Sequence, residues 1–463
     1  MLFSNLRPGI VRISYLLLLL AAPFALPQSS DLAPLTAQQR NLNLQSVEKV
    51  WTTVRDKHWD PALGGVDWAK AHRSTITKVR AARNMQQARD ALREMIATLG
   101  QSHFAIIPSD FYKEIRPAAK NHERDDQPEA VDARHTATHS TREEECGIGI
   151  DATDIDGKVR VVALEGGSPA ARAGVRTGWE LISIDDFDLA RAIGFVAGSG
   201  VHERELYERG MIEDALLGPF DRPVHAVFAD GDGQIRKLTL DRVAPRGNLA
   251  QLGFLPQERV WIESRRIDGP IEYIRFNAFL DPEHLMPAFE KAVRECMKCD
   301  GFVIDLRGNP GGIGAMAMGV AGWFVPRRGY RLGTLQARDY TTAFEINPRA
   351  DTFAGPLAIL VDGASASTAE ILAAGLQDIG RARVFGSQTA GAALPSAIIR
   401  LPNEDGFQYA EATYASTKGR VLEGSGVTPD VIVKHTRESL LSGRDAVLDS
   451  AAAWIKLKKQ EDR

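Results

Sequence analysis

Residues Leu357 to Leu376 constrain the fold of this chain more than any other stretch, because five consecutive apolar residues, Leu357-Ala358-Ile359-Leu360-Val361, run straight into a small-residue turn and then a helix. An apolar run of that length with β-branched members suits a strand buried on both faces, as occurs where helices cover a parallel sheet. Asp362-Gly363-Ala364-Ser365-Ala366-Ser367 supplies the turn, and Thr368 to Ala374 continues with helical apolar spacing toward Leu376. A serine at such a junction has two readings. It can cap the helix, since Ser is among the preferred N-cap residues. It can also be a nucleophile, because the turn exposes its Oγ and the helix N-terminus offers N–H groups to a developing oxyanion.

A second junction of the same kind lies upstream. Gly301-Phe302-Val303-Ile304-Asp305-Leu306 reads as a buried strand ending in Arg307-Gly308-Asn309-Pro310-Gly311-Gly312. Glycines there let backbone N–H groups converge on an anion without obstruction by side chains. No Lys follows in the register of a nucleotide phosphate loop, which argues against nucleotide binding. Two strand ends with polar, glycine-bearing turns can together form an oxyanion hole and a nucleophile. Around them, strands are expected near Val260-Trp261-Ile262 and over Ile271 to Phe276, followed by a helix capped by Asp281 with Pro282 at its first position. A hairpin from Ala397 to Tyr414 and a closing helix from Leu440 to Leu457 complete the region.

The chain of 463 residues, 44% hydrophobic and 25% charged, has room for two or three domains. A formal net charge of −4 and no long basic run give no footprint for nucleic acid. At the start, Arg7 and Arg12 precede the apolar run Ile13 to Ala22, a secretory signal pattern over residues 1–28 with the mature start between Ala22 and Ser30. The protein is therefore expected to be exported, to the periplasm or outside the cell. The apolar run is short for a membrane span, so membrane contact would come only through an uncleaved N-terminal segment. Three cysteines exclude a complete disulfide framework within one chain. Cys296-Met297-Lys298-Cys299 is a lone CxxC with no second pair or nearby His, which reads as structural, or as a disulfide formed after export. No metal and no cofactor are implied.

Residues 40–107 read as a helical domain, with Val47, Val50, Trp51 and Val54 in one periodic run and Ala88, Leu92, Met95, Ile96 and Leu99 in another. It ends in Gly100-Gln101-Ser102-His103, where the chain turns extended. Residues 117–145 are polar and poor in large apolar groups, as a flexible linker would be. Order returns at Cys146. Gly147-Ile148-Gly149-Ile150, then Gly167-Ser168-Pro169-Ala170-Ala171-Arg172-Ala173-Gly174-Val175, then Ile182-Ser183-Ile184-Asp185 resemble a PDZ domain over residues 146–242. The resemblance implies that Gly147, Ile148, Gly149 and Ile150 bind the carboxylate of a peptide added as an extra strand. An apparent insertion from Arg191 to Leu217 departs from the compact form of that domain.

The order of this domain, DLRGNPGG at Asp305, VDGASASTAEI at Val361, FGSQTAG at Phe385 and EGSGVTPD at Glu423 resembles the C-terminal processing (tail-specific) and tricorn-type serine peptidases. That family implies a multidomain α/β fold with a catalytic αβ domain, here residues 250–460, and Ser367 as nucleophile with Ser365 as a neighbour. The processing branch uses a Ser-Lys dyad, but its lysine position is Ala392, and no Lys occurs from Asp362 through Thr417. The tricorn-type branch is similar in a Ser-His pair and a Glu, matching Ser102, His103 and Glu423. The resemblance then implies that His103 takes the Ser367 proton while Ser102 and Glu423 orient it, with oxyanion donors among the amides of Gly311, Gly312 and Thr368. The expected function is an exported serine endopeptidase that recognises and cuts unstructured protein or peptide tails. The alternative is a peptidase-like scaffold that binds peptides without cutting them.

Overall fold

In the computed structural model, residues 29–109, 145–185, 187–198, 203–251 and 257–461 are described; the signal pattern and most of the linker expectation fall outside them. The strand Leu357–Val361 forms with all five residues buried. It lies inside a six-stranded sheet whose order is Ile262–Ile267, Ile271–Phe276, Gly301–Asp305, Leu357–Val361, Arg383–Gly386, Val431–Ile432. All neighbouring pairs are parallel except the first, which is antiparallel. Strand side chains alternate between faces, and both faces are covered. Leu357, Ile359 and Val361 join a core with helices Pro282–Glu295, Gly314–Ala321 and Thr368–Asp378. Ala358 and Leu360 point the other way, to Val447, Ala451 and Ile455 of the final helix. Asp281 and Pro282 occupy the expected cap and first position.

Two expected boundaries shift. The closing helix is split into Arg437–Leu441 and Ala446–Glu461, with Gly443 between them at φ 71°. The 397–414 hairpin is a shorter pair, Ser396–Arg400 with Gly406–Ala410, after which Ala412–Ser416 joins a different sheet beside Arg331–Ala337.

The N-terminal segment holds three helices, Ala37–Lys57, Trp68–Ala81 and Met85–Ala97, where two periodic runs were visible in the sequence. Their core of Val47, Val50, Val54, Leu92 and Ile96 continues into Leu401 and Phe407 of that shorter hairpin. The strand Ala105–Ile107 then pairs antiparallel with that hairpin, Ala105 opposite Gln408 and Ile107 opposite Gly406. Buried Arg89 fastens this junction by a two-nitrogen contact with Asp405, at 3.0 and 2.8 Å, and a bond to Asp31 at 2.5 Å. Asp405 also accepts the Ser109 N–H at 2.8 Å. The segment carrying Ser102 and His103 is therefore stitched to the hairpin of Ser396–Arg400 and Gly406–Ala410 from both sides.

Between them, a sheet in the order Ile150–Ile155, Lys158–Leu164, Glu180–Ile184, Val224–Ala229, Ile235–Leu240 leaves Ile150–Ile155 at one edge. The expected insertion contains two helices, Leu189–Gly198 and Arg204–Leu216, and the second packs against that edge strand. Ion pairs Arg209–Asp151 at 2.7 Å and Arg204–Asp154 at 3.8 Å join helix to strand. No helix among the described residues is long and apolar enough to cross a membrane.

Candidate active site

Ser367 stands at the helix junction with φ 54° and ψ −118°, a conformation that L-residues with a Cβ rarely hold. The contacts around it explain why it stays there. Its N–H donates to Ala392 O and to a Glu370 carboxylate oxygen, both at 2.9 Å. Ser365 is fully buried, and its hydroxyl lies 2.8 Å from Leu306 O and accepts the Asp362 N–H at 3.0 Å, a purely structural placement. Ser367 is only half-buried.

The two glycine-bearing turns meet. Gly308 N–H donates to Asp362 Oδ1 at 2.9 Å, and Ala366 N–H to Asn309 O at 3.0 Å. Gly311, at φ 97°, lies so close to the nucleophile turn that a Cβ there would sit 2.7 Å from Ser367 Cβ. Of the three amides named from the sequence, that of Gly311 is already committed, donating to Asn309 Oδ1 at 2.9 Å. Gly312 and Thr368 are left as the candidate donor pair. Thr368 Oγ1 donates to Gly312 O at 2.7 Å and so holds these two residues in a fixed relation.

Glu370 was legible in the sequence only as part of a Ser-x-x-Glu pattern, the signature of a capping box. In the structure it is fully buried and collects four donors: Ser367 N–H, Thr389 Oγ1 at 2.5 Å, Gly391 N–H at 2.8 Å and Ala392 N–H at 3.0 Å. Burial pushes its carboxyl up to about 7 against the pull of those donors. Asn309, also unremarked in the sequence, is fully buried and spans Phe276 O, at 2.9 Å from its Nδ2, and the Gly311 amide.

Ser102, His103 and Glu423 form one chain of hydrogen bonds. Ser102 Oγ lies 2.6 Å from His103 Nδ1 and 2.9 Å from Glu423 Oε2, and its N–H donates to Glu423 Oε1 at 2.6 Å. His103 is buried with φ 60°, and burial takes its imidazole down to about 3, so it rests neutral. Burial likewise lifts the Glu423 carboxyl to about 7, opposed by the bonds from Ser102 and Ala393. Glu423 Oε2 accepts the Ala393 N–H at 3.2 Å, and the preceding residue, Ala392, accepts the Ser367 N–H. Ala392 and Ala393 thus form a short backbone link between the two halves of the site. No hydrogen bond joins His103 to Ser367; such contacts commonly tighten only when substrate binds.

In the middle domain, Gly147 N–H is engaged by Val243 O at 2.9 Å, Ile148 is core, and Gly149, at φ 73°, packs on Ser168. Ile150 begins the edge strand. Among the described residues no group of three His, Cys, Asp or Glu side chains is placed to hold a metal.

The α/β architecture with a glycine-lined serine junction has counterparts among known proteins. Residues 270–433 match the model of peptidase family S41. The carboxy-terminal-processing protease of Bartonella bacilliformis is 27% identical over 333 residues, covering 70% of each chain. The carboxyl-terminal-processing protease of Synechocystis sp. is 24% identical over 409 residues, 86% of this chain and 82% of that one. These similarities make the chain a serine peptidase, a hydrolase of peptide bonds. In fold it is similar to the photosystem II D1 C-terminal processing protease, with a TM-score of 0.54 at 23% identity over 89% of this chain and 99% of the other.

Proposed function

We propose that the chain is an exported endopeptidase that cuts unstructured protein tails, with Ser367 as nucleophile, His103 as general base, and Ser102 and Glu423 as the groups that orient the imidazole. The observation that carries this reading is the relay Glu423–Ser102–His103. Ser102 has one hydroxyl proton. When Glu423 is ionised that proton goes to the carboxylate, so His103 Nδ1 must be the donor to Ser102 Oγ. Nε2 is then unprotonated and can accept the Ser367 proton. Protonating Glu423 reverses the relay: the carboxyl donates to Ser102, Ser102 donates to Nδ1, and Nε2 carries the hydrogen. Base function is therefore present above the Glu423 value of about 7 and is lost as pH falls through it. Attack by Ser367 on the peptide carbonyl gives an oxyanion facing the amides of Gly312 and Thr368, each worth about 3 kcal/mol in the transition state. The imidazolium then protonates the leaving amine, and water hydrolyses the acyl-enzyme by the same base.

Tail recognition is supported by the names of the three relatives reported above, each a C-terminal-processing protease, and by the edge strand Ile150–Ile155 flanked by helix Arg204–Leu216, the arrangement a PDZ domain uses to add a strand. The ion pairs between helix and strand must part for a tail to enter. Two otherwise identical unfolded substrates, one with a free C-terminal carboxylate and one amidated, test this. Amidation is expected to raise KM roughly tenfold with kcat unchanged, the mark of lost uniform binding. Equal KM values would remove tail recognition from the proposal and leave the peptidase assignment standing.

A further inference from the structure

The Cys296–Cys299 pair, read from the sequence as structural, is closed as a disulfide where helix Pro282–Glu295 ends. Every nitrogen of the Arg266 guanidinium is committed around it. Nε pairs with buried Glu272 at 2.9 Å, Nη2 donates to the helix-terminal carbonyl of Glu295 at 2.7 Å, and Nη1 reaches Cys296 Sγ at 2.9 Å and also Cys299 Sγ. A disulfide sulfur is a weak acceptor and returns little for such a donor, whereas a thiolate beside a guanidinium is strongly stabilised. The negative end of the helix acts against a thiolate at Cys296, but Arg266 holds that terminal carbonyl as well. The arrangement therefore favours the reduced pair over what an unassisted disulfide would show. The two sulfurs differ in access: Cys296 is fully buried and Cys299 half-buried.

We propose that Cys296–Cys299 is a thiol–disulfide exchange site whose partner is a dithiol, with Cys299 the sulfur attacked and Arg266 the group that stabilises the departing Cys296. A thiolate of the dithiol attacks Cys299 Sγ, the intramolecular S–S bond breaks, and its electron pair leaves on Cys296 Sγ beside Arg266 Nη1. The second thiolate of the dithiol displaces Cys299 from the mixed disulfide. The dithiol ends as its own disulfide, two electrons have passed to the protein, and the two protons it gave up end on Cys296 and Cys299.

The full chain, kept folded, is equilibrated in buffers of reduced and oxidised dithiothreitol of graded ratio, trapped with iodoacetamide and mapped by mass spectrometry. Wild type is expected to gain alkyl groups on Cys296 and Cys299 while its circular dichroism and thermal midpoint still report a folded chain. Arg266→Gln is expected to need a reduced-to-oxidised ratio roughly tenfold higher, and Arg266→Lys, which keeps a cation at the sulfurs, to fall between them. A wild-type disulfide that survives excess dithiothreitol until the chain unfolds overturns the proposal, as does an Arg266→Gln midpoint equal to that of wild type. If Arg266→Gln does not fold, the wild-type titration and the Arg266→Lys midpoint decide alone.

Discussion

Ser367→Ala is expected to lower kcat on an unfolded protein substrate by about 10⁶-fold, the scale seen when the nucleophile of a serine peptidase is removed. The loss should fall on kcat and leave KM near the wild-type value, because in the proposed mechanism Ser367 Oγ acts on the scissile carbonyl and not on the remote parts of the substrate. The fold should survive. What holds the junction is the backbone: Ser367 N–H to Ala392 O and Glu370, and the Ala366 N–H to Asn309 O. An alanine keeps all of these and gives up only the hydroxyl's share of the capping box, so the thermal midpoint should fall by no more than a few degrees. Ser365→Ala should behave in the opposite way, destabilising the turn because its hydroxyl links Leu306 and Asp362, with a smaller effect on catalysis. Undiminished hydrolysis by Ser367→Ala would remove it from the nucleophile's role.

Glu370→Gln is the substitution expected to cost the fold most for the smallest change in shape. The carboxylate accepts from four donors, two on each oxygen: Thr389 Oγ1 and Gly391 N–H on Oε1, Ser367 N–H and Ala392 N–H on Oε2. An amide has one acceptor oxygen, so in either orientation its NH₂ faces two donors. Each donor left without an acceptor in a buried site costs about 1–3 kcal/mol. Relief of the buried charge offsets part of that, leaving a net loss of about 2–4 kcal/mol in a denaturant titration. Because the same carboxylate ties Ser367 to the Ala392 backbone, and Ala393 to Glu423 follows at once, kcat should drop as well, by roughly 10²-fold, the cost of a small misplacement of reacting groups. Wild-type stability in Glu370→Gln would show that the four bonds contribute nothing net.

Much of this architecture could be read along the chain. The apolar run at Leu357 is a buried strand because helices lie on both of its faces, and Asp281-Pro282 starts a helix because one residue caps it and the other needs no N–H there. The helix Trp68–Ala81 leaves no clear stripe in the sequence, because only Trp68, Thr75 and Val79 of it are buried. The register that sets Ala105 against Gln408 is invisible locally, since the two strands lie about three hundred residues apart and each is short. Motif order pointed to Ser102, His103 and Glu423, while their hydrogen-bonded order is a product of that distant pairing. Capture of the Gly311 amide by Asn309 depends on a side-chain rotamer that no spacing rule contains.

In the proposed mechanism His103, set by Ser102 and ionised Glu423, activates Ser367. The most direct test of this step is the rate at which a fluorophosphonate labels the folded protein as a function of pH, with the adduct located by mass spectrometry. An adduct on Ser367 is expected, formed at a rate that falls as pH drops through about 7 and that His103→Ala lowers by about 10³-fold. Label on Ser365, no label at any pH, or a His103→Ala rate equal to wild type would contradict the mechanism.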